Sequence, residues 1–359
     1  MIIYEYTNKM YIARQDLRQI RRIIVADYRE TVDYILGIPL FAQKIGKENL
    51  SSLLCRLGNP EKSIPAVHVA GTNGKGSTCR ALAQMLTGMG YRVGLFTSPH
   101  LVSINERIQI DGENISDADF VWAFETVKEK FTQHPSFFEV MFAMAAVYFR
   151  EKKCDFVVYE TGMGGRLDAT NVLMPELSII TSVGMDHMEY LGDTIEKIAA
   201  EKAGIIKPGI PIIYFKRDEA VAKVIEDTAR GQKSPVIPVE KQDYIINHLG
   251  DKTIDFSLHS RYYSYCNLVI QKTSLYQLEN ISLAVMAFYG LMKARNASEE
   301  DIEKGIRETL PEFYWEGRME EIAPHIYVDG AHNVEAIRAY IDTCLLYTSP
   351  SPRDLSTSR

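Results

Sequence analysis

Cysteine is scarce and scattered in this 359-residue chain. The five, at Cys55, Cys79, Cys154, Cys266 and Cys344, include no Cys-x-x-Cys pair. That argues against a disulfide framework and fits free thiols in a reducing compartment. Long apolar runs are also missing. The longest, residues 140–149 (VMFAMAAVYF), falls well short of the roughly 20 residues that span a bilayer. The opening MIIYEYTNKMYIARQDLRQIRR lacks the continuous apolar core of a signal peptide. A cytoplasmic protein without membrane association is expected. Positive charge is in deficit, with 40 Lys and Arg against 47 Asp and Glu for a net charge of −7. A nucleic-acid partner is therefore not expected, because phosphate neutralisation drives such binding. Any anionic ligand must instead be met by backbone N–H groups, a few local cations or a metal.

The chain does have material for a core. It is 46% hydrophobic and 24% charged, with 20 Tyr and 14 Phe, which excludes a largely disordered polymer. From Ala66 onward, short β-branched runs alternate with helical patterns. AVHVA (66–70), RVGLFT (92–97), DFVVYE (155–160), LSIITSV (177–183) and PIIYF (211–215) read as buried strands. Helices are expected after 74, from Ser116 to about 130, near 194–206 and over 218–230, and FFEVMFAMAAVYFR is a helix apolar nearly all round. This alternation predicts a parallel α/β sheet with ligands at the carboxyl ends of its strands. After about 240 the pattern weakens into mixed β-like segments. A new helix is expected near Leu275, and HIYVD (325–329) reads as a strand before a helix starting at Asn333.

Three stretches carry chemistry. The first, GTNGKGS at 71–77, joins a strand to a helix. Its glycines let successive N–H groups face phosphate oxygens, the helix N-terminus adds its dipole, and Lys75 adds a point charge. It departs from G-x-x-x-x-G-K-[ST], since position 69 is Val and Gly76 separates Lys75 from Ser77. The second is ETGMGGRLDATN at 160–171. Glu160 closes a buried strand, where a carboxylate calls for a cation, and Arg166 and Asp168 suit a loop that positions a polar ligand. The third is Asp186-His187 after a strand, followed by Glu201-Lys202 on a helix. His187 is a metal candidate there, whereas Lys202 by itself reads as a solvated helix lysine.

In order, GTNGKGS (71–77), FTSPHL (96–101), ERI (106–108), FFE (137–139), ETGMGGRLDATN (160–171), DH (186–187), EKAGI (201–205), Tyr276-Gln277-x-x-Asn280, GRME (317–320) and DGAHN (329–333) resemble the Mur ligase superfamily. Within it they are most similar to the folylpolyglutamate synthase/dihydrofolate synthase family. The resemblance implies a P-loop-containing parallel-sheet ATPase domain plus a smaller Rossmann-like α/β domain. It also implies ATP-dependent amide bond formation between a folate, or dihydropteroate, and L-glutamate through an acyl phosphate, in a monomer.

Residue by residue, Asn73, Gly74, Lys75, Gly76 and Ser77, with Asn280, Arg318 and Asp329, would bind ATP. Ser98 and Glu160 would hold one Mg2+. Glu160, His187 and a carbamylated Lys202 would hold a second. Phe137, Phe138, Glu139, Arg166, Leu167 and Asp168 would line the folate cleft, although Phe137 and Phe138 also fit simple core packing. Lys75, Lys202, His187 and His332 would serve catalysis, His332 at the glutamate site. The expected division is an N-terminal extension (1–30), an ATP-binding domain (31–272), a partial C-terminal ligase domain (273–343) and a foreign Ser/Pro-rich tail (344–359). A nucleotide-binding chain without turnover, another Mur-type ligase, and a kinase-like phosphotransferase are the competing readings.

Overall fold

The structure, a computed structural model, describes residues 27–39, 48–133, 135–250, 253–271 and 274–348. Most of the expected N-terminal extension, and residues 349–359 of the expected tail, lie outside these. The first described residues form a helix over 27–36, so the fold takes in the end of that extension. Tyr28 anchors it, donating its hydroxyl to Asn105 Oδ1 at 2.7 Å and meeting the Phe120 ring edge-on.

Thirteen strands are found among the described residues. Eight of them, β1 (Ala66–Ala70), β2 (Val93–Phe96), β3 (Ile108–Ile110), β4 (Glu113–Asn114), β5 (Phe156–Glu160), β6 (Leu177–Ile180), β7 (Ile212–Lys216) and β8 (Val236–Glu240), make one sheet in the order β4-β3-β2-β5-β1-β6-β7-β8. The run from β2 to β8 is parallel, and β3 and β4 add an antiparallel edge. The five expected strands are β1, β2, β5, β6 and β7. They could be read because parallel strands covered on both faces are near-continuous apolar runs. β6 ends at Ile180, earlier than the 177–183 run suggests, and Thr181 and Ser182 turn towards the loop after β1.

One face of the sheet is covered by the helices Lys75–Gly88, Tyr276–Ala294 and Glu299–Thr309 together with an antiparallel sheet of β9 (Tyr244–Leu249), β10 (Thr253–His259) and β11 (Ser264–Gln271). The other carries Glu48–Arg56, Asp117–Lys128 and Phe137–Glu151. The last of these is buried all along residues 140–149 and opens with a capping box from Ser136 and Glu139. A third apolar cluster joins Ile195–Ala203 and Glu219–Gln232 to β6 and β7.

The expected division at 272/273 runs through the first cluster, where Leu278, Ile281 and Phe288 pack with Val67, Leu82 and Leu95. Beyond it come an antiparallel pair, β12 (Glu320–Ala323) and β13 (Ile326–Val328), and the helix Val334–Thr348. That helix passes through Cys344 and is described as far as Thr348; the Ser-Pro steps at 349–352 lie outside the described residues. Among the described residues no helix is long and apolar enough to cross a membrane.

Candidate nucleotide and ligase site

The 71–77 loop leaves the carboxyl end of β1, between β5 and β6. Neighbouring strand ends hold its shape. Thr72 N–H donates to Ser182 O at 2.7 Å, Asn73 N–H to Ser182 Oγ at 3.2 Å, and Thr181 Oγ1 donates to Asn73 O at 2.7 Å. Gly74, at φ 84°, caps the following helix in the left-handed region, which suits glycine. A Cβ there would collide with the side-chain amide of Asn280. Asn280 therefore sits directly against the loop although it lies some two hundred residues later.

Lys75 opens the helix. Its Nζ donates to Thr72 O at 3.2 Å and lies 3.9 Å from Glu160 Oε1. Glu160, at the buried end of β5, also accepts from Ser98 N–H at 2.9 Å. Burial raises its pKa above the usual carboxylate range, with Lys75 and the Ser98 N–H pulling the other way. The carboxylate is thus under-compensated. Close by, Ser77 Oγ is buried with no hydrogen-bond partner among the described residues, an orphaned oxygen that calls for a ligand.

Lys202 is 2% exposed, not a solvated helix lysine. Its Nζ donates to Gly71 O at 2.8 Å. Burial lowers its pKa to about 7, with the nearby Lys75 charge pushing the same way and Asp186 and Asp168 opposing.

One cavity gathers Asn73, Gly74, Lys75, Gly76, Ser77, Ser98 and Glu160 from the strand ends with Asn280, Arg318, Asp329 and His332 from the later chain. Asp329 organises the far wall. It accepts from the Tyr276 hydroxyl, from Met319 N–H at 2.9 Å and from Ala331 N–H at 2.8 Å. Asn73 and Asn333 exchange side-chain amide hydrogen bonds across the cavity's edge at 3.2 and 3.0 Å. His332 holds Gly330 O through Nδ1 at 2.8 Å, with Nε2 3.9 Å from Asp186.

Other expected site residues stand apart from that cavity. The His187 side chain is 52% exposed and lies 4.0 Å from Asp186. Among the described residues no group of three or more His, Cys, Asp and Glu converges to hold a metal ion. Glu139 is committed to its capping box, accepting from Ser136 N–H at 2.7 Å and Oγ at 2.9 Å. Arg166 is paired with Glu201 at 2.7 Å, and Leu167 is exposed. Asp168 is buried and ties its own loop together, and burial raises its pKa against the four donors around it. Phe137 is buried under the Arg107 guanidinium, 5.1 Å from its ring centroid, while Phe138 packs on Gly162, where a Cβ would come within 2.8 Å of the ring.

Two arginines had no role assigned from sequence. Arg217 immediately follows β7 and chelates Glu279 with 2.6 Å bonds to both oxygens on the cavity wall. Its place at a strand's carboxyl end was the available signal. Arg107, in the ERI motif, is buried and donates through Nε to His100 Nδ1 at 2.8 Å. Burial lowers its pKa to about 10, opposed by Glu160 and Glu106.

A phosphate loop on a parallel sheet, facing residues from a later segment across one cavity, defines a nucleotide-dependent enzyme of the Mur ligase type. The Mur ligase middle domain family matches residues 69–288. The dihydrofolate synthase/folylpolyglutamate synthase of Bacillus subtilis is 39% identical over 330 residues, covering 88% of this chain and 76% of that protein. The folylpolyglutamate synthase of Lacticaseibacillus casei is 34% identical over 329 residues, with the same coverages. Among solved structures, the apo L. casei enzyme superposes with a TM-score of 0.84 at 33% identity, covering 90% of this chain and 81% of that one. A complex with AMPPCP and folate gives 0.83 at the same identity and coverage. The chain belongs to the folylpolyglutamate synthase/dihydrofolate synthase family.

Proposed function

We propose that this chain is an ADP-forming ligase that joins a folate carboxylate to the amine of L-glutamate, with dihydropteroate as a second acceptor. The observation that carries this is the single cavity shared by the phosphate loop, the buried Glu160 and the facing Asn280, Arg318 and Asp329. Relatives solved with AMPPCP and with folate support the choice of substrates.

A carboxylate is a poor electrophile because its oxygen does not leave. In the proposed reaction the folate carboxylate attacks the γ-phosphorus of ATP and ADP departs. The glutamate amine then attacks the acyl carbon, and phosphate leaves with the former carboxylate oxygen. The residues here position and neutralise charge, which dominates phosphoryl transfer. The 71–77 N–H groups and Lys75 hold the phosphates, and Arg318 clamps them from the opposite wall. Arg107, buried and in no close ion pair among the described residues, is suited to a substrate carboxylate.

The chemistry of Ser77, Ser98 and Glu160 fits one Mg2+: an orphaned hydroxyl and an under-compensated carboxylate are hard oxygen donors. When bound, the ion neutralises charge developing on the phosphates. For a second ion the residues are not assembled, and an ammonium donating to Gly71 O is no ligand. Carbamylation of Lys202 would turn that nitrogen into an oxygen ligand, and it needs the neutral amine, which a pKa of about 7 makes available. Isotope-labelled bicarbonate, read by carbon NMR of the purified protein, tests the modification directly. The function itself is tested by ADP release in the presence of Mg2+. Release must depend on both a folate and L-glutamate, and transfer to a hydroxyl with no amide product would instead restore the kinase-like reading.

A further inference from the structure

The central strand carries a histidine that the proposed reaction does not use. His68, in β1, is fully buried, and its Nε2 lies 2.7 Å from Thr170 Oγ1. Thr170 in turn donates its hydroxyl to Asp168 Oδ1 at 2.5 Å. The same carboxylate takes Thr170 N–H at 3.0 Å on Oδ1, and Gly162 N–H at 2.9 Å and Met163 N–H at 3.0 Å on Oδ2.

Proton accounting settles the direction of the chain. A carboxylate surrounded by four donors only accepts. Thr170 has one hydroxyl proton and gives it to Asp168, so its oxygen accepts from His68, which must carry its proton on Nε2. Nδ1 is then bare, and Nδ1 is the ring atom that lies buried with no partner among the described residues. A bare lone pair there is cheaper than an orphaned N–H. Burial, helped by Lys207, lowers the imidazole pKa to about 3, so the ring stays neutral at physiological pH.

We propose that His68 is a positioning residue for the folate cleft, a donor of fixed tautomer that acts through Thr170 to set Asp168. Asp168 then fixes the 162–168 loop, which begins two residues after Glu160 and packs Gly162 on the Phe138 ring. That this loop borders the folate cleft is what the motif resemblance implies, and the substrate rests on the proposed function; the hydrogen-bond relay rests on neither.

The test compares His68→Leu, Thr170→Val and His68→Gln in the full chain, the last retaining a donor near the Nε2 position. Two readouts are taken: amide hydrogen exchange at Gly162 and Met163, and the separate KM values for folate and ATP. Loss of one buried hydrogen bond corresponds to about tenfold. His68→Leu and Thr170→Val should each speed exchange at both amides and raise KM for folate by about that factor, leaving KM for ATP within about twofold. His68→Gln should recover most of both. Unchanged exchange in Thr170→Val, KM values for folate and ATP rising together, or a glutamine variant no better than leucine would overturn the proposal. Should the wild type show no folate-dependent turnover, the functional reading fails, and the exchange measurements still decide on the relay.

Discussion

Lys202 Nζ donates to the carbonyl oxygen of Gly71, 131 positions earlier in the chain. A buried amine thus stands directly beneath the first residue of the phosphate loop, close enough to Lys75 for the two charges to repel.

The apo protein should record this in its pH dependence. Lys202 falls from the usual lysine value near 10.5 to about 7 in the folded state. Between pH 7 and about 10 the unfolded chain binds the extra proton, so this group makes stability rise with pH across that window, by several kcal/mol in order of magnitude. Denaturant titrations of wild type and Lys202→Met at pH 7 and 9 check it. The difference, wild type minus variant, should grow more favourable at pH 9, and a flat or reversed difference would refute the buried-amine assignment. Lys202→Arg should abolish turnover at either pH, because a guanidinium neither fits the pocket nor carbamylates.

Gly74→Ala should disable nucleotide binding. The left-handed backbone alone costs about 1–2 kcal/mol for a side-chain-bearing residue, and the new methyl meets the Asn280 amide. Calorimetric titration with a non-hydrolysable ATP analogue should show affinity reduced by more than about tenfold. Wild-type affinity would mean that Asn280 does not pack on the loop as described.

Lys75→Ala should leave the fold intact and lower kcat by at least about 100-fold, the scale of losing one preorganised charge contact. Circular dichroism and steady-state ADP release together separate lost chemistry from lost structure.

Glu139 offers a sharper distinction. Its carboxylate closes the capping box of the Phe137–Glu151 helix, so Glu139→Ala should destabilise the protein by about 1 kcal/mol with KM for folate little changed. A KM increase beyond about tenfold at unaltered stability would restore the direct folate contact that the motif resemblance implies.

What the sequence disclosed follows from what is local. The strands β1 and β5 and the 71–77 loop could be read because each strand is a buried apolar run and the glycines adjoin Lys75. The Phe137–Glu151 helix was legible from its uniform apolarity. The strands β3, β4 and β8 were not, being short or only partly buried, with no continuous apolar signature. Nor could spacing reveal that Lys202 is buried, that Asn280 presses on Gly74, or that Asp168 is the acceptor for its own loop. Each depends on side chains brought together by the sheet order. Glu139 and Arg166 were matched to a motif, and in the structure their nearest partners are Ser136 and Glu201.

The most direct test labels the folate carboxylate with oxygen-18 and follows one turnover with ATP and L-glutamate. Phosphate released carrying one labelled oxygen from each productive turnover, alongside a product longer by one glutamate, is the expected result. Unlabelled phosphate, or ADP formed equally well without the folate, would contradict activation of the carboxylate in the cavity between Lys75 and Arg318.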